Sequence, residues 1–218
     1  MWYHQFVYDM DSRKLIGKFE EMYRDGAEKG LDAWHQDALE LREDVVIAKS
    51  ILDSMISGRS VRTVVDLGCG KGVLAQHLFA NADRYVGFDI SETAVESARR
   101  NFPKMEFVCA DVQTGKDLAD VVLKHSADNF DLFFSSQTLS FMNDWRGIIE
   151  QAAENFRSVL IVLYLPPDPI GYIKSFGGLV DEVWRNFEGI RCSFSPSGSH
   201  IAISGQSARM RSTAAMAS

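Results

Sequence analysis

A glycine-rich turn at residues 66–72 carries the clearest chemical signal in the chain. It consists of Asp66-Leu67-Gly68-Cys69-Gly70-Lys71-Gly72 and ends a short apolar run. Glycines at such a turn let the backbone approach a ligand closely and adopt conformations that a Cβ atom forbids. The third glycine comes one residue too early for the dinucleotide-binding pattern, and the P-loop pattern is absent. A carboxylate two residues before the first glycine suits a ligand with an ammonium group better than a pyrophosphate.

Two further acids stand at the ends of the next two predicted strands. Asp89 follows the glycines by about 20 residues, the position at which the acid of nucleotide-binding folds accepts the ribose hydroxyls. Asp111 ends the third strand, where a carboxylate could accept from an exocyclic adenine amine. Ile90 and Val112 could then pack on the two faces of the ring. The simpler alternatives are a helix cap for Asp89 and an ordinary turn residue for Asp111.

These side chains can act together only if their strands end at one edge of a sheet. From residue 61, short apolar runs alternate with helical patterns, which predicts a mostly parallel sheet with helices on both faces. The last two runs flank Ser195-Pro196-Ser197-Gly198, which predicts a tight turn and an antiparallel hairpin. The expected strands are 61–67, 85–88, 105–110, 131–135, 158–165, 190–194 and 200–204.

The first 60 residues have helical periodicity instead. Asp11 and Ser12 are expected to cap a helix that runs to about Arg24, and a second helical stretch covers 31–56. Later caps are expected at Ser91 and at Asn143-Asp144. The predicted organisation is a helical N-terminal lid or extension (1–60), a ligand-binding core (61–205) and a flexible tail (206–218).

The glycine-rich turn followed by Asp89 and Asp111 resembles the motif series of the class I methyltransferases that use S-adenosylmethionine (AdoMet). The resemblance covers residues 61 to about 204 and extends to the terminal hairpin. It implies an α/β fold with a seven-stranded, mostly parallel, doubly wound sheet, a C-terminal antiparallel hairpin and a helical N-terminal extension. It also implies AdoMet as the cofactor and S-adenosylhomocysteine as the product.

The resemblance assigns parts of the cofactor to individual residues. The methionine part would lie against Gly68, Gly70 and Gly72, with Asp66 acting on the ammonium end. Asp89 would bind the ribose and Asp111 the adenine. The full set of expected cofactor contacts is Asp66, Gly68, Cys69, Gly70, Gly72, Asp89, Ile90, Asp111, Val112 and Ser135, although Cys69 is also small enough to serve only in packing.

The acceptor side is expected between the end of the fourth strand and the N-terminal extension. His35 and Gln137 are the candidate catalytic residues, and Tyr23, Trp34, Gln137 and Tyr164 are the candidate substrate-binding residues. Tyr23 and Trp34 could instead be ordinary packing residues. No strong general base stands out in the sequence, but aligning an acceptor with an activated methyl donor can supply roughly 7–11 kcal/mol of the barrier.

Composition narrows the classes of partner. The chain of 218 residues has 30 acidic and 23 basic side chains, a net charge of −7 that disfavours nucleic acid as the substrate. The longest apolar run, 159–165, is far shorter than the ~20 residues of a membrane-spanning helix. No secretory signal is evident at the start, and Cys69, Cys109 and Cys192 are too far apart to suggest a metal site.

The sequence therefore predicts a cytoplasmic methyltransferase that acts on oxygen or nitrogen of a small-molecule acceptor. Metal, nucleic-acid and membrane binding are not expected, and a homodimer is an option. Two alternatives remain open at this point. One keeps the cofactor but takes a protein side chain as the acceptor; the other is a non-catalytic AdoMet-binding regulator or partner subunit.

Overall fold

The computed structural model describes residues 1–36, 39, 42–56, 61–125 and 130–208. Within them, a sheet is built from β1 (Thr63–Leu67), β2 (Arg84–Asp89), β3 (Glu106–Cys109), β4 (Phe130–Ser136), β5 (Phe156–Tyr164), β6 (Glu188–Phe194) and β7 (His200–Gln206). The spatial order is β3-β2-β1-β4-β5-β7-β6. Strands β1 to β5 are mutually parallel, whereas β7 is antiparallel to both β5 and β6. The predicted strands and the terminal hairpin are confirmed.

The helices of the described residues are α1 (His4–Val7), α2 (Phe19–Lys29), α3 (Glu43–Ile56), α4 (Val73–Phe79), α5 (Glu92–Asn101), α6 (Gly115–His125), α7 (Trp145–Asn155) and α8 (Phe176–Asn186). Alternate side chains of a strand face opposite sides of its sheet. Phe133 accordingly packs with α6, α7 and α8, whereas Phe134 packs with α3, α4 and α5. Helices therefore cover both faces, as in a doubly wound α/β fold.

Side-chain caps fix where α5 and α7 begin. The Ser91 hydroxyl accepts from the Ala94 amide at the start of α5, and the Asp144 carboxylate accepts from the Gly147 amide at the start of α7. Both caps were expected from the sequence. Because α5 begins directly after β2, its cap also fixes the backbone around Asp89.

The N-terminal region differs from the sequence-based expectation. The prediction that a helix begins at Asp11 and Ser12 is wrong. The amides of both residues donate to the Asp9 carboxylate, and these hydrogen bonds form a turn instead. Gly17 has a φ of 69°, and α2 begins only at Phe19. It then continues past the expected end at Arg24, to Lys29. The second stretch is also interrupted, by a 3-10 turn at Ala33–His35.

The helices of the predicted extension lie in two different places. Helix α3 packs directly on one face of the sheet, against Val64, Leu132 and their neighbours. Residues 1–36, called the N-terminal segment below, form a separate apolar cluster with Ala94 of α5 and with Phe141. The predicted boundary at residue 60 lies outside the described residues, as do 37, 38, 40, 41 and 57–59.

The end of the described chain is more ordered than predicted. Gln206 is the last residue of β7, and the Ser207 hydroxyl donates to the carbonyl of Ala153 at 2.7 Å. The predicted flexible tail therefore begins too early at 206, and residues 209–218 lie outside the described range. Among the described residues, no helix is both long enough and apolar enough to cross a bilayer.

Candidate functional site

The candidate site lies where the strand order reverses. The chain passes from β1 to β2 on one side of the sheet and to β4 on the other, and ligands of open α/β sheets bind at such a switch point. Strands β1 to β5 all end at the same side, called the carboxyl edge below. Residues 68–72, the glycine loop, follow β1 at this edge.

Close neighbours explain why the loop needs glycine. Gly68 has a φ of 85°, and a Cβ atom there would lie 1.8 Å from the Thr138 hydroxyl oxygen. Gly70 has a φ of 53°, and a Cβ atom there would lie 2.7 Å from the Tyr23 hydroxyl and 2.8 Å from Nε2 of Gln36. The loop is thus enclosed by the turn after β4 on one side and by the N-terminal segment on the other.

Asp89 is held at the mouth of the crevice by the backbone. One carboxylate oxygen accepts from the Gly70 amide at 2.8 Å and the other from the Ser91 amide at 2.9 Å. Burial raises the pKa of Asp89, these two hydrogen bonds lower it, and the charge of Glu20 raises it. The carboxylate therefore connects the glycine loop to the start of α5, which is where a ribose is expected.

Asp66 lies deeper, within β1. It is 3% exposed, and the Tyr85 hydroxyl donates to its Oδ2 at 2.6 Å. Burial raises its pKa to about 7, with the Tyr85 hydrogen bond lowering it and the charge of Asp89 raising it. The carboxyl group can therefore change its protonation state near neutral pH, and a cation nearby would favour the ionised form.

The expected adenine-side residues are not equivalent in the structure. Asp111 is exposed and accepts from the Gln113 side chain at 2.7 Å, and Ile90 is 38% exposed. Val112, in contrast, is 2% exposed and packs in the core. Of the predicted pair of apolar residues around an adenine ring, only Ile90 therefore has an accessible side chain.

Two other expected cofactor contacts have buried side chains. The Ser135 hydroxyl donates to the Leu67 carbonyl at 3.0 Å and so joins β4 to β1. Cys69 is 7% exposed and packs in the core, while its amide donates to the carbonyl of Phe88. Both side chains support the crevice from behind.

The N-terminal segment is attached to the glycine loop and to α5 by polar side chains. Lys71 pairs with Asp32 at 2.8 Å. Glu20 accepts from the Ser91 hydroxyl at 2.6 Å and from the Thr93 amide and hydroxyl at 3.1 and 2.6 Å. The structure places the Tyr23 hydroxyl, predicted to bind the substrate, beside the glycine loop. A cavity of about 100 Å³ behind these contacts, between α2 and α5, is smaller than the ~300 Å³ of a typical ligand pocket.

Gln137 occupies a strained turn after β4. Its φ is 61°, and its side-chain oxygen accepts from the Tyr164 amide at the end of β5 at 2.6 Å. Its Nε2 lies 3.4 Å from Oδ2 of Asp44. Positive φ in a residue other than glycine is costly and often occurs at functional sites. Gln137 thus joins the ends of two central strands, and Tyr164 beside it is 45% exposed.

Trp34 and His35 also have positive φ, and both are tied to an ion pair that the sequence analysis did not identify. Arg42 donates to the Trp34 carbonyl at 2.8 Å and to the Asp44 carboxylate at 3.0 Å. Burial raises the pKa of Asp44, but the hydrogen bonds and charge of Arg42 outweigh it and hold that pKa below its ordinary value. The ionised pair connects the N-terminal segment to Gln137. In the sequence, Arg42 and Asp44 are simply neighbouring charges at the start of α3, and this pattern does not indicate a link to Gln137.

His200 is a second residue that the sequence analysis missed. It pairs with Tyr164 across β5 and β7, and their rings lie 5.0 Å apart. Burial lowers its pKa, which favours a neutral imidazole beside Tyr164 at the carboxyl edge. The predicted antiparallel hairpin was only part of the signal, since it did not define that β7 pairs with β5 and so brings His200 to Tyr164. His35, the predicted base, is exposed and has its ring 6.3 Å from that of Tyr3.

Comparison with known proteins bears on this site. Residues 64–160 match the family model described as "Methyltransferase domain". An uncharacterized methyltransferase of Schizosaccharomyces pombe is 26% identical over 147 residues, which are 66% of this chain and 50% of that protein.

Two other relatives match over shorter stretches. The ubiquinone biosynthesis O-methyltransferase of Nitrosomonas europaea is 38% identical over 48 residues, 22% of this chain and 20% of that protein. The ribosomal RNA large subunit methyltransferase G of Shewanella sediminis is 49% identical over 59 residues, 25% of this chain and 14% of that protein. The matches with all three relatives thus span half of the relative's length or less.

Solved structures are similar over most of the chain. One is the N-methyltransferase NodS of Bradyrhizobium japonicum in complex with S-adenosylhomocysteine, with a TM-score of 0.64 at 12% identity. The matched region is 85% of this chain and 98% of the NodS chain. The magnesium protoporphyrin IX methyltransferase of Synechocystis, also with S-adenosylhomocysteine, has a TM-score of 0.62 at 15% identity over 86% and 95%. These likenesses establish the fold.

Proposed function

We propose that this chain is a class I AdoMet-dependent methyltransferase, as its match to a methyltransferase family model over residues 64–160 supports, and that it transfers a methyl group to an oxygen or nitrogen atom of a small metabolite. The observation that carries the proposal is the enclosure of the glycine loop by the N-terminal segment. Tyr23 and Gln36 lie directly against Gly70, so that the N-terminal segment covers the crevice at the glycine loop. A covered crevice favours a compact acceptor over a large one.

The residues around the glycine loop fit the cofactor, since they offer acceptors for its hydroxyl and ammonium groups: the Asp89 carboxylate beside the Gly70 amide and the buried Asp66 carboxylate in β1. We assign the ribose to Asp89, the ammonium end to Asp66 and the open side of the adenine to Asp111 and Ile90. When bound, AdoMet supplies a methyl group activated by a positively charged sulfur. A site of this kind has mainly to align the acceptor and to keep water away.

On the acceptor side, the Gln137 side chain is held by two elements, β5 and α3. The Tyr164 amide holds its oxygen, and the Asp44 carboxylate, itself held by Arg42, lies next to its nitrogen. We propose that Gln137 and Tyr164 orient the acceptor, with Trp34 packing above it. The neutral imidazole of His200 is better placed than His35 to take a proton from a hydroxyl acceptor.

Calorimetric titration with S-adenosylhomocysteine, followed by screening of acceptors with methyl-labelled AdoMet, tests this proposal. We expect saturable binding that Gly70→Ala weakens, because the added Cβ atom meets Tyr23 and Gln36, and label transfer to small amines, phenols or carboxylates. Label transfer only to protein would favour the protein side-chain alternative. Binding without transfer to any acceptor would favour the regulator alternative. A folded chain that does not bind the cofactor product would contradict the proposal.

A further inference from the structure

The side-chain oxygen of Gln36 is buried without a hydrogen-bond partner. Its amide nitrogen lies 3.4 Å from the Tyr23 hydroxyl, a long contact, and 2.8 Å from where a Cβ atom of Gly70 would stand. Buried polar atoms almost always have a partner, and one without a partner destabilises the fold. An unsatisfied acceptor beside a ligand-binding loop therefore points to a donor that arrives with the ligand.

The charges around this atom favour a positively charged donor. The carboxylates of Asp89 and Asp66 stand on the sheet side of the loop, and Asp89 is near enough to Tyr23 to raise the pKa of its hydroxyl, which burial raises most. The cation of the loop, Lys71, is paired with Asp32. A ligand group in contact with Gln36 thus lies near the Asp89 carboxylate and the neutral Tyr23 hydroxyl.

We propose that Gln36 binds the amino-acid end of the cofactor, with its side-chain oxygen accepting from the α-ammonium group. The inference rests on the proposed function and adds to it a contact from outside the glycine motif. Because Gln36 belongs to the N-terminal segment, the amino-acid end of the cofactor then holds this segment closed over the crevice. The nucleoside half of the cofactor does not contact Gln36.

A pair of ligands that differ only in the amino-acid end tests this directly. S-adenosylhomocysteine carries the α-ammonium and carboxylate groups, and 5′-methylthioadenosine lacks both. Calorimetry with the full chain gives the affinity of each ligand for the wild type, for Gln36→Leu and for the control Gln76→Leu, whose side chain is exposed on α4.

Loss of a hydrogen bond to a charged group weakens binding about tenfold or more. We expect Gln36→Leu to lose that much affinity for S-adenosylhomocysteine, to change within about twofold for 5′-methylthioadenosine, and Gln76→Leu to match the wild type for both ligands. Equal losses for the two ligands, or no loss for either, would overturn the proposal.

Gln36→Glu keeps the size of the side chain and an oxygen acceptor, so it serves if Gln36→Leu does not fold. It is expected to keep the preference for S-adenosylhomocysteine. If the amide were oriented the other way, with its nitrogen towards the carboxylate of the ligand, Gln36→Glu would lose that preference and the ammonium contact would be wrong. Failure of the wild type to bind either ligand would instead refute the proposed function itself.

Discussion

The glycine loop and the N-terminal segment meet at one edge of the sheet but are held in place in different ways. The loop is fixed by backbone contacts, since the amides of Gly68 and Cys69 both donate to the carbonyl of Phe88 in the neighbouring strand. The segment is fixed by side-chain contacts, chiefly the hydrogen bonds from Ser91 and Thr93 to Glu20 and the ion pair of Asp32 with Lys71. One region is thus part of the sheet, and the other is attached to it.

This difference indicates how the two regions should behave. Opening of the glycine loop would break strand pairing. The free energy of this opening should therefore be nearly as large as that of global unfolding. Opening of the N-terminal segment breaks only a few polar contacts and a small apolar cluster. Elements that admit ligands generally come from the less stable parts of a fold.

The largest expected effect is on the loop. Gly68→Ala should lower the free energy of unfolding by roughly 2–4 kcal/mol, because the φ of 85° is unfavourable for alanine and the new Cβ atom would overlap the Thr138 side chain. Urea unfolding measures the change. Gly177→Ala is the matched control: its Cβ atom would meet only the Ser175 hydroxyl at 4.0 Å, inside α8, so that stability should stay equal or rise. Equal stability of the two variants would contradict the loop geometry.

Asp89→Ala should reduce affinity for S-adenosylhomocysteine about a hundredfold, because the carboxylate that would bind the ribose also holds the amides of Gly70 and Ser91. Asp111→Ala should reduce it by less than tenfold, since Asp111 is exposed and accepts a hydrogen bond from the Gln113 side chain. Calorimetry on both variants compares them. A larger loss for Asp111→Ala would reverse the assignment of the two acids.

Affinity for S-adenosylhomocysteine should depend on pH through Asp66. Its raised pKa of about 7 means that the acid is neutral at low pH and ionised above pH 7. An ammonium group favours the ionised form, so affinity should rise by about tenfold from pH 5.5 to 7.5 and then level off. Asp66→Asn should remove most of this dependence. The same slope in the variant would show that another group is responsible.

The smallest effect is expected in the N-terminal segment. Glu20→Ala removes the acceptor for Ser91 and Thr93, so hydrogen exchange in α2 should accelerate by the equivalent of roughly 1–2 kcal/mol while exchange in β1 stays unchanged. Glu21→Ala is the control, because the ion pair of Glu21 with Lys18 is solvated. If β1 also loses protection, the segment and the sheet open together and the contrast between them fails.

The same contrast explains what the sequence could predict. Strand runs, the glycine motif and the caps at Ser91 and Asp144 are local patterns, so the sheet, its order of elements and the place of the site were accessible. The sequence could not predict which way a side chain near a strand end points. Val112 and Ser135 were expected to face the cofactor, but both side chains are buried.

In the N-terminal segment the local pattern was misleading. Asp11 and Ser12 form an acceptable helix cap, but the Asp9 carboxylate competes for the same amides and wins. Gln36, Arg42 and Asp44 depend on contacts with distant loops after β1 and β4, which helical periodicity does not encode. His200 required the pairing of β7 with β5, which the predicted hairpin left undefined.

Hydrogen exchange of the full chain, with and without saturating S-adenosylhomocysteine, tests the central claim most directly. The claim is that the glycine loop and the N-terminal segment form one cofactor site. It predicts slower exchange in 66–72, in 89–91 and in 19–36 together, with the largest gain in 19–36 because that region is the least protected beforehand. Protection of the loop alone, or of neither region in a protein that remains folded, would contradict it.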